Sequence, residues 1–447
     1  MTPVTKFAVK EKYQYLEGFG SYHQSEAFPG ANPLVNNSPQ KPPYGLRTER
    51  ISGSSFTAPR DHNLQTFMYR QTSSLKHSKF VPYNNKSTAN PPSYLSPNSS
   101  LWPSVPVDPD ADWLTQTLLA QNGDAATKTG LAIWLFSIAQ SMKPNVAFSS
   151  LDGDCLIIPQ AGTLNIQTEL GKLLVRQNEI CVIPRGIRYC VTLPAGPARG
   201  YMCELFQGHF RLPELGPIGS TGLANIRDFQ IPTACFDGEL KGDVAVANNT
   251  EYTIISRQAG RLWFCTQDHT PFDVAAWHGT FYPYKYDLAR YCVMGNLLFD
   301  EHDPSLYTLL SAPSNREPGT NVVDFAIIPP RWMVAEDTLR LPYFHRNTMS
   351  EFFGLIANVQ DPEHGLNGGG QEFRPFVAGL HGCMTTHGAV EADFQRATKS
   401  TLKPEKLGTE GLTVFLLETE LPLYLSDWAV EAAGHGPKSK TQISSKM

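Results

Sequence analysis

Short apolar runs separated by turn-forming residues dominate the middle of the chain. One run covers 130–138, and further runs at 155–159, 162–169, 172–175 and 180–183 are bounded by glycine, proline, aspartate or asparagine. Runs with this punctuation are typical of β-strands, and strands at this spacing favour a closed roll of two sheets. The pattern predicts a mainly β, cupin-like double-sheet jelly roll.

Two domains are predicted from the order of these runs. The first, 1–276, is an N-terminal β-rich, cupin-like domain. Within it, 73–110 is rich in serine, proline and asparagine and is expected to form a long surface loop with extended segments. The second, 277–447, contains a further strand at 322–328 and a polar tail, from about residue 434, that is expected to be disordered.

Composition narrows the class of partner. The 447 residues contain 37 Lys and Arg against 42 Asp and Glu, a formal net charge of −5. This mild acidity argues against nucleic acid or an anionic membrane as the main partner. No apolar run is long enough to span a bilayer, and the N-terminus lacks the apolar core of a signal peptide.

Cysteine usage and the C-terminus bear on location. None of the eight cysteines forms a C-x-x-C pair, so we expect a reduced, intracellular protein with structural thiols. The last three residues, Ser445-Lys446-Met447, are a conservative variant of the peroxisomal S-K-L address. We expect a cytoplasmic protein, with the peroxisome as the alternative.

The candidate chemistry lies in 342–354, where His345 and Glu351 are six residues apart. An even offset on a strand places both side chains on one face, so a strand or strand-turn would point them into one cavity. They are two of the three ligands of a 2-His-1-carboxylate iron site. His381 and His387 are the candidates for the third ligand.

Two cupin-like motifs support this interpretation. The stretch around His345 resembles the first cupin motif, H-x-H-x(3,4)-E, with Asn347 in the second histidine position. Pro184-x-Gly186 resembles the second motif, but Tyr189 stands where metal-binding cupins have a histidine. We therefore expect the first half-barrel to be structural. His278, between Trp277 and Gly279, is a second candidate residue, suited to a pocket base near neutral pH.

Several stretches together are similar to the homogentisate 1,2-dioxygenase family over nearly the whole chain. They include 15–20, 52–60, 152–186, 272–287 and, most specifically, P-Y-x-H-R-N-x-M-S-E-F at 342–352. The resemblance implies an Fe(II) enzyme that opens the ring of a para-hydroquinone with O₂, giving maleylacetoacetate from homogentisate in tyrosine and phenylalanine catabolism. It also implies a homo-oligomer, a trimer or a hexamer built as a dimer of trimers.

The resemblance also implies residue roles. His345, Glu351 and His387 take the positions of the iron ligands, with His387 beside the substrate as well. His278 takes the position of the active-site base, and His381 that of a histidine lining the pocket. Tyr343 takes the position of a pocket tyrosine.

One loop departs from the family pattern. Where the family has a tyrosine that contacts substrate and a lysine three residues later, this chain has Gln360 and Glu363. An acidic residue there would repel an arylacetate carboxylate, although Arg374 is available to compensate. The alternatives are therefore homogentisate, or a related para-hydroquinone lacking that carboxylate, as in secondary metabolism. A non-catalytic cupin binding protein is a third reading, from a different class.

Overall fold

A computed structural model describes residues 10–34, 38–83, 91–214, 224–291, 293, 306–334, 345–356, 377–388, 391–407 and 413–434. These residues form thirty β-strands, numbered β1 to β30 in chain order, and two short α-helices, α1 (Glu391–Ala397) and α2 (Asp427–Ala432), besides short 3-10 turns. Among them, no helix is both long enough and apolar enough to cross a bilayer. The prediction of a mainly β protein is confirmed.

Two large sheets form the body of the fold. The nine-stranded sheet contains, in spatial order, β1 (Tyr15–Glu17), β16 (Phe229–Pro232), β22 (Tyr284–Asp287), β13 (Glu179–Ile183), β10 (Asp154–Ala161), β15 (Ala198–Leu205), β8 (Thr129–Ile138), β7 (Thr117–Asp124) and β30 (Tyr424–Leu425). The seven-stranded sheet contains β12 (Gly171–Val175), β11 (Leu164–Thr168), β14 (Tyr189–Thr192), β9 (Val146–Ser150), β19 (Tyr252–Gln258), β20 (Arg261–Gln267) and β5 (Val81–Pro82). Their apolar side chains share one core, which is the predicted double-sheet roll.

Local sequence explains the hairpin of β11 and β12. In both strands buried residues alternate with half-buried ones, as expected for strands with one face in a core. Gly171 begins the return strand with a φ of 135°. A Cβ at this position would lie 2.0 Å from the carbonyl oxygen of Thr233, so only glycine fits the turn.

A six-stranded sheet, called here the C-terminal sheet, carries the iron-site candidates. Its strands are β23 (Tyr307–Pro313), β24 (Asn321–Ile328), β29 (Thr413–Thr419), β26 (Ser350–Ile356), β27 (Ala378–His381) and β6 (Ser100–Trp102). It packs against the nine-stranded sheet, where Tyr201 lies 5.2 Å from Phe352, ring centroid to ring centroid. Gln160 also donates a 2.7 Å hydrogen bond to the carbonyl oxygen of Leu355.

The segment 73–110 takes part in this packing. Its strand β6 forms the edge of the C-terminal sheet beside β27. Trp102 is fully buried, and its Nε1 donates a 2.8 Å hydrogen bond to the carbonyl oxygen of Ala429 in α2. A segment of low apolar content therefore holds one edge of the candidate site in place.

Three smaller sheets complete the fold. A four-stranded sheet contains β2 (His23–Glu26), β21 (Val274–Gly279), β4 (Gln65–Arg70) and β3 (Arg47–Ser52). The two-stranded sheets pair β17 (Gly238–Lys241) with β18 (Val244–Ala247), and β25 (Arg331–Met333) with β28 (Glu405–Leu407). The strand of His278, β21, thus pairs with strands from the first 70 residues of the chain. The domain boundary at 276/277 stays a prediction.

Candidate metal centre

Glu351 is presented by a central strand of the C-terminal sheet. The strand β26 is buried along its whole length, between β29 and β27. Phe352 points into the main core, whereas Phe353 and Leu355 belong to a smaller apolar cluster on the opposite face. Because side chains alternate along a strand, Glu351 lies on that second face, where only 5% of the residue is exposed.

His345 reaches Glu351 through a turn. The residues before it, 335–344, lie outside the described part of the chain, and β26 begins only at Ser350. His345 instead pairs with His387 in an isolated antiparallel bridge with reciprocal backbone hydrogen bonds of 3.0 and 3.1 Å. The sequence predicted either a strand or a strand-turn here, and the described residues form the strand-turn. The side chains of His345 and Glu351 therefore do not meet by alternation along a single strand.

The three side chains converge. Nε2 of His387 lies 2.9 Å from Oε2 of Glu351, and Nε2 of His345 lies 3.8 Å from Oε1. One ligand atom from each of the three residues lies within 4.8 Å of the others. Of the two candidates for the third position, His387 is therefore the one that the described structure groups with His345 and Glu351.

His381 lies beside this group, on β27 directly opposite Glu351 in the sheet register. Its ring stacks on that of His387 at 4.2 Å with an interplanar angle of 9°, and on Phe353 at 5.1 Å on the other side. Its Nδ1 is 3.1 Å from the hydroxyl oxygen of Ser99. His381 is thus held beside His387 and Glu351, and the pocket-lining role that the resemblance implied for it stays a prediction.

The charges of the centre are tuned by burial and hydrogen bonds. Burial raises the pKa of Glu351, but hydrogen bonds from His387 and Asn347 outweigh it, and the pKa lies below its ordinary value. The hydrogen bond to Glu351 is the main cause that raises the pKa of His387. Burial, followed by the neighbouring His387, lowers the pKa of His381 to about 4, so His381 is neutral near pH 7.

The donor set fits Fe(II). Two imidazoles and one carboxylate form the arrangement that non-heme Fe(II) oxygenases use, with coordination positions left for substrate and O₂. Nδ1 of His387 donates a 2.9 Å hydrogen bond to the carbonyl oxygen of Thr385. That bond assigns a proton to Nδ1 and leaves Nε2 as the ligand atom, a common device for orienting metal-binding histidines.

His278 lies among aromatic side chains, two of which offer hydroxyl groups. On β21 it is 8% exposed, and its two ring nitrogens contact the hydroxyl groups of Tyr22 (Nδ1, 2.7 Å) and Tyr69 (Nε2, 2.8 Å). The ring of Phe67 stacks on it at 5.4 Å. Burial lowers the pKa of His278, which favours the neutral imidazole that a base requires. Within the described part of the chain, the side chains that contact the ring of His278 belong to Tyr22, Phe67 and Tyr69, all from the first 70 residues.

The remaining predicted residues are not among those that the structure describes. Tyr343, Gln360, Glu363 and Arg374 lie outside the described residues, so the roles assigned to them stay predictions.

Several polar neighbours of the site were not predicted from the sequence. Ser99 comes from a low-complexity segment, Tyr22 from the residues just before β2 and Tyr69 from β4, so no local signal marks them. Glu418 was detectable in principle, because it is a carboxylate within the apolar run of β29. Burial, followed by the neighbouring carboxylate of Glu351, raises the pKa of Glu418 to about 7.

Comparisons with known proteins agree with this geometry. Residues 14–288 match the family model for the homogentisate 1,2-dioxygenase N-terminal region, and residues 289–441 match the model for the C-terminal region. The chain belongs to the homogentisate 1,2-dioxygenase family. It is 50% identical to homogentisate 1,2-dioxygenase of Emericella nidulans over 96% of this chain and 94% of that protein. The Drosophila melanogaster enzyme is 43% identical, with 94% of both chains covered.

Among solved structures, the chain matches a cupin 2 conserved barrel domain protein from Leptotrichia buccalis. The two chains are 9% identical, with a TM-score of 0.29, and the match covers 68% of this chain and 88% of that one.

Proposed function

We propose that this protein is an Fe(II)-dependent dioxygenase that opens the aromatic ring of homogentisate with O₂, giving maleylacetoacetate. The observation that carries the proposal is the convergence of His345, Glu351 and His387 in a chain that is half identical to a named homogentisate 1,2-dioxygenase over nearly its full length. Family membership supports the reaction, and the converging side chains support a metal centre at which it would occur.

His345, Glu351 and His387 are the residues that would hold the iron. When bound, Fe(II) supplies open coordination positions and the redox chemistry that lets O₂ react with an electron-rich ring. The protein itself contributes orientation. Thr385 fixes the tautomer of His387, and the ring of His381 stacks on that of His387 and restricts its movement.

His278 is the proposed base for the substrate hydroxyl group. Its neutral imidazole can accept a proton, but both ring nitrogens already contact tyrosine hydroxyl groups. A hydroxyl group can accept and donate at once. Tyr22 or Tyr69 can therefore take a proton on its oxygen while it passes its own proton to His278.

Oxygen consumption tests the reaction and the metal ligands together. Protein loaded with Fe(II) under anaerobic conditions should consume one O₂ for each homogentisate, since both oxygen atoms enter the product. His345→Ala and His387→Ala should lose both bound iron and turnover. His62→Ala removes an imidazole whose side chain is 67% exposed and should leave both unchanged. Protein that binds no Fe(II), and in which His345→Ala changes nothing, would instead be a non-catalytic cupin binding protein.

A related para-hydroquinone without the carboxylate is the second candidate substrate. The observation that favours it is Gln360 and Glu363 in place of the family's tyrosine and lysine. The discriminating measurement compares kcat/KM for homogentisate with that for gentisyl alcohol, which lacks the carboxylate. Efficient turnover of homogentisate alone would exclude the second candidate, and a clear preference for gentisyl alcohol would exclude the first.

Assembly and location are part of the proposal. The family resemblance supports a homo-oligomer, a trimer or a hexamer, which light scattering coupled to size-exclusion chromatography would test; a monomeric mass would contradict it. For location, we propose the cytoplasm, with the peroxisome as the alternative suggested by Ser445-Lys446-Met447. An N-terminal fluorescent fusion, with and without these three residues, separates the two.

A further inference from the structure

Asn347 lies between the candidate ligands but is not one of them. In the cupin-like motif it stands where a second metal-binding histidine would be expected. Its backbone oxygen accepts a 2.7 Å hydrogen bond from the amide of Met384, which ties the turn before β26 to the loop that carries His387. Asn347 therefore sits at the junction of the two segments that supply ligands.

The side-chain amide of Asn347 has a determined orientation. Its Oδ1 accepts a hydrogen bond from the backbone amide of Met349 at 3.1 Å. A backbone amide can only donate, so this contact identifies the oxygen end of the side chain. The nitrogen end faces two carboxylates: Nδ2 donates to Oε1 of Glu351 at 2.9 Å, and the second carboxylate near it is that of Glu418.

These two carboxylates are neighbours in the sheet. Glu351 on β26 and Glu418 on β29 are direct partners in the antiparallel register. Like charges directly opposite each other destabilise a strand pair. An amide with two N–H groups suits the space between them, because it can donate one hydrogen bond to each carboxylate.

The hydrogen bond from Asn347 divides the two oxygens of Glu351 between different partners. Oε1 is held by Asn347 and Oε2 faces Nε2 of His387. We propose that Asn347 is a positioning residue that holds Oε1 of Glu351 beside Glu418 and thereby presents Oε2 of Glu351 to the metal. This inference rests on the metal site of the proposed function.

The chain offers a matched control in the same sheet. On β24, Asp324 is the register partner of Glu418 on the side away from Glu351. Its carboxylate accepts hydrogen bonds of 2.9 and 3.1 Å from Nδ2 of Asn321. Asn321 therefore makes the same kind of contact as Asn347, two strands away from Glu351.

The test compares Asn347→Asp with Asn321→Asp. Each change replaces an amide donor by a carboxylate of the same shape. The measurement is the Fe(II) dissociation constant, obtained anaerobically by competition with a chelator and without substrate. Loss of a group that orients a metal ligand typically weakens metal binding about 10- to 100-fold. We expect that loss for Asn347→Asp, and a change of less than about twofold for Asn321→Asp.

Two further measurements separate positioning from general damage. Asn347→Ala removes the amide without adding a charge and should weaken Fe(II) binding to a similar extent. The absorption spectrum of the Co(II)-substituted protein reports ligand geometry; it should shift in both Asn347 variants and remain unchanged in Asn321→Asp.

Several outcomes would overturn the inference. Wild-type Fe(II) affinity in Asn347→Ala would show that the amide does not position Glu351. Equal weakening in Asn347→Asp and Asn321→Asp would assign the effect to the sheet as a whole. Wild-type protein without Fe(II) affinity would refute both this inference and the proposed metal site. Protein whose Fe(II) affinity depends on Asn347 but that does not oxidise homogentisate would contradict only the proposed function.

Discussion

Asp154 anchors a buried ionic cluster that joins the first strands of the fold to the nine-stranded sheet. Its carboxylate accepts hydrogen bonds from His209 at 2.7 Å and from the side chain of Arg185 at 2.9 Å. The other nitrogen of His209 donates to the carbonyl oxygen of Gly53 at 2.7 Å. Since both partners of His209 are acceptors here, the imidazole donates from both nitrogens and carries a positive charge.

We predict that Asp154→Asn lowers the free energy of unfolding by about 2.5 kcal/mol at pH 5. Burial opposes ionisation of Asp154, but His209 and Arg185 outweigh it and lower its pKa from 3.8 to about 2. One pKa unit corresponds to about 1.4 kcal/mol, and the carboxylate is only 4% exposed, so little of this is screened. Urea unfolding followed by tryptophan fluorescence measures the loss.

The dependence on pH has a defined sign. The stabilisation from the lowered pKa of Asp154 is fully present above pH 3.8 and is lost as pH falls through about 2. Asp154 also raises the pKa of His209 against the effect of burial. That contribution is full below pH 6.5 and disappears as pH rises through the raised pKa. The difference between wild type and Asp154→Asn should therefore narrow from pH 5 to pH 8.

An exposed ion pair provides the control. Glu239 and Lys241 lie 2.7 Å apart, with side chains 65% and 60% exposed, and Glu239→Gln should change stability by well under about 1 kcal/mol. A loss of less than about 1 kcal/mol for Asp154→Asn at pH 5, or a difference that widens towards pH 8, would refute the reasoning.

Three further predictions concern packing and pH. Gly354→Ala would place a Cβ 2.7 Å from the ring of Phe415 and should cost about 1–3 kcal/mol of stability, recovered in part by Phe415→Leu; full stability of the single variant in urea would contradict this. Trp102→Ala should cost about 3–5 kcal/mol because the side chain is fully buried, whereas Trp332→Ala, at a residue 57% exposed, should cost far less; equal losses in urea would refute the assignment. Burial lowers the pKa of His278, so its neutral form persists below pH 6.5. kcat/KM should therefore fall only below that pH, and this decrease should be absent in His278→Gln. A decrease of kcat/KM that already begins above pH 6.5 would be inconsistent with this role.

Much of the architecture follows from local sequence. In β11 apolar residues alternate with polar ones, as expected for a strand with one face in a core. In β8, β10 and β13 short apolar runs are bounded by turn-forming residues, so both patterns mark strands before any tertiary contact is known. The strand predicted at 322–328 corresponds to β24, Asn321–Ile328.

Tertiary structure decided what the segment 73–110 does. Its composition predicts a long surface loop with extended segments, and one of these segments, β6, forms the edge of the C-terminal sheet and includes the buried Trp102. The pairing depends on an edge offered by β27, nearly 300 residues later in the chain, and composition carries no information about that edge.

For the candidate site, too, the sequence predicted one part and the tertiary structure decided the other. The spacing and residue types of His345 and Glu351 identified a metal-ligand pair, and the chemistry of those side chains limited the candidates to an iron-type donor set. The choice of His387 over His381 required the bridge between His345 and His387, which depends on where two distant turns meet. The positioning role inferred for Asn347, beside Glu351 and Glu418, required the register of β26 against β29. Residue types determine which chemistry is available at the site. Long-range strand pairing decides which atoms become partners, and short-range sequence patterns do not encode that pairing.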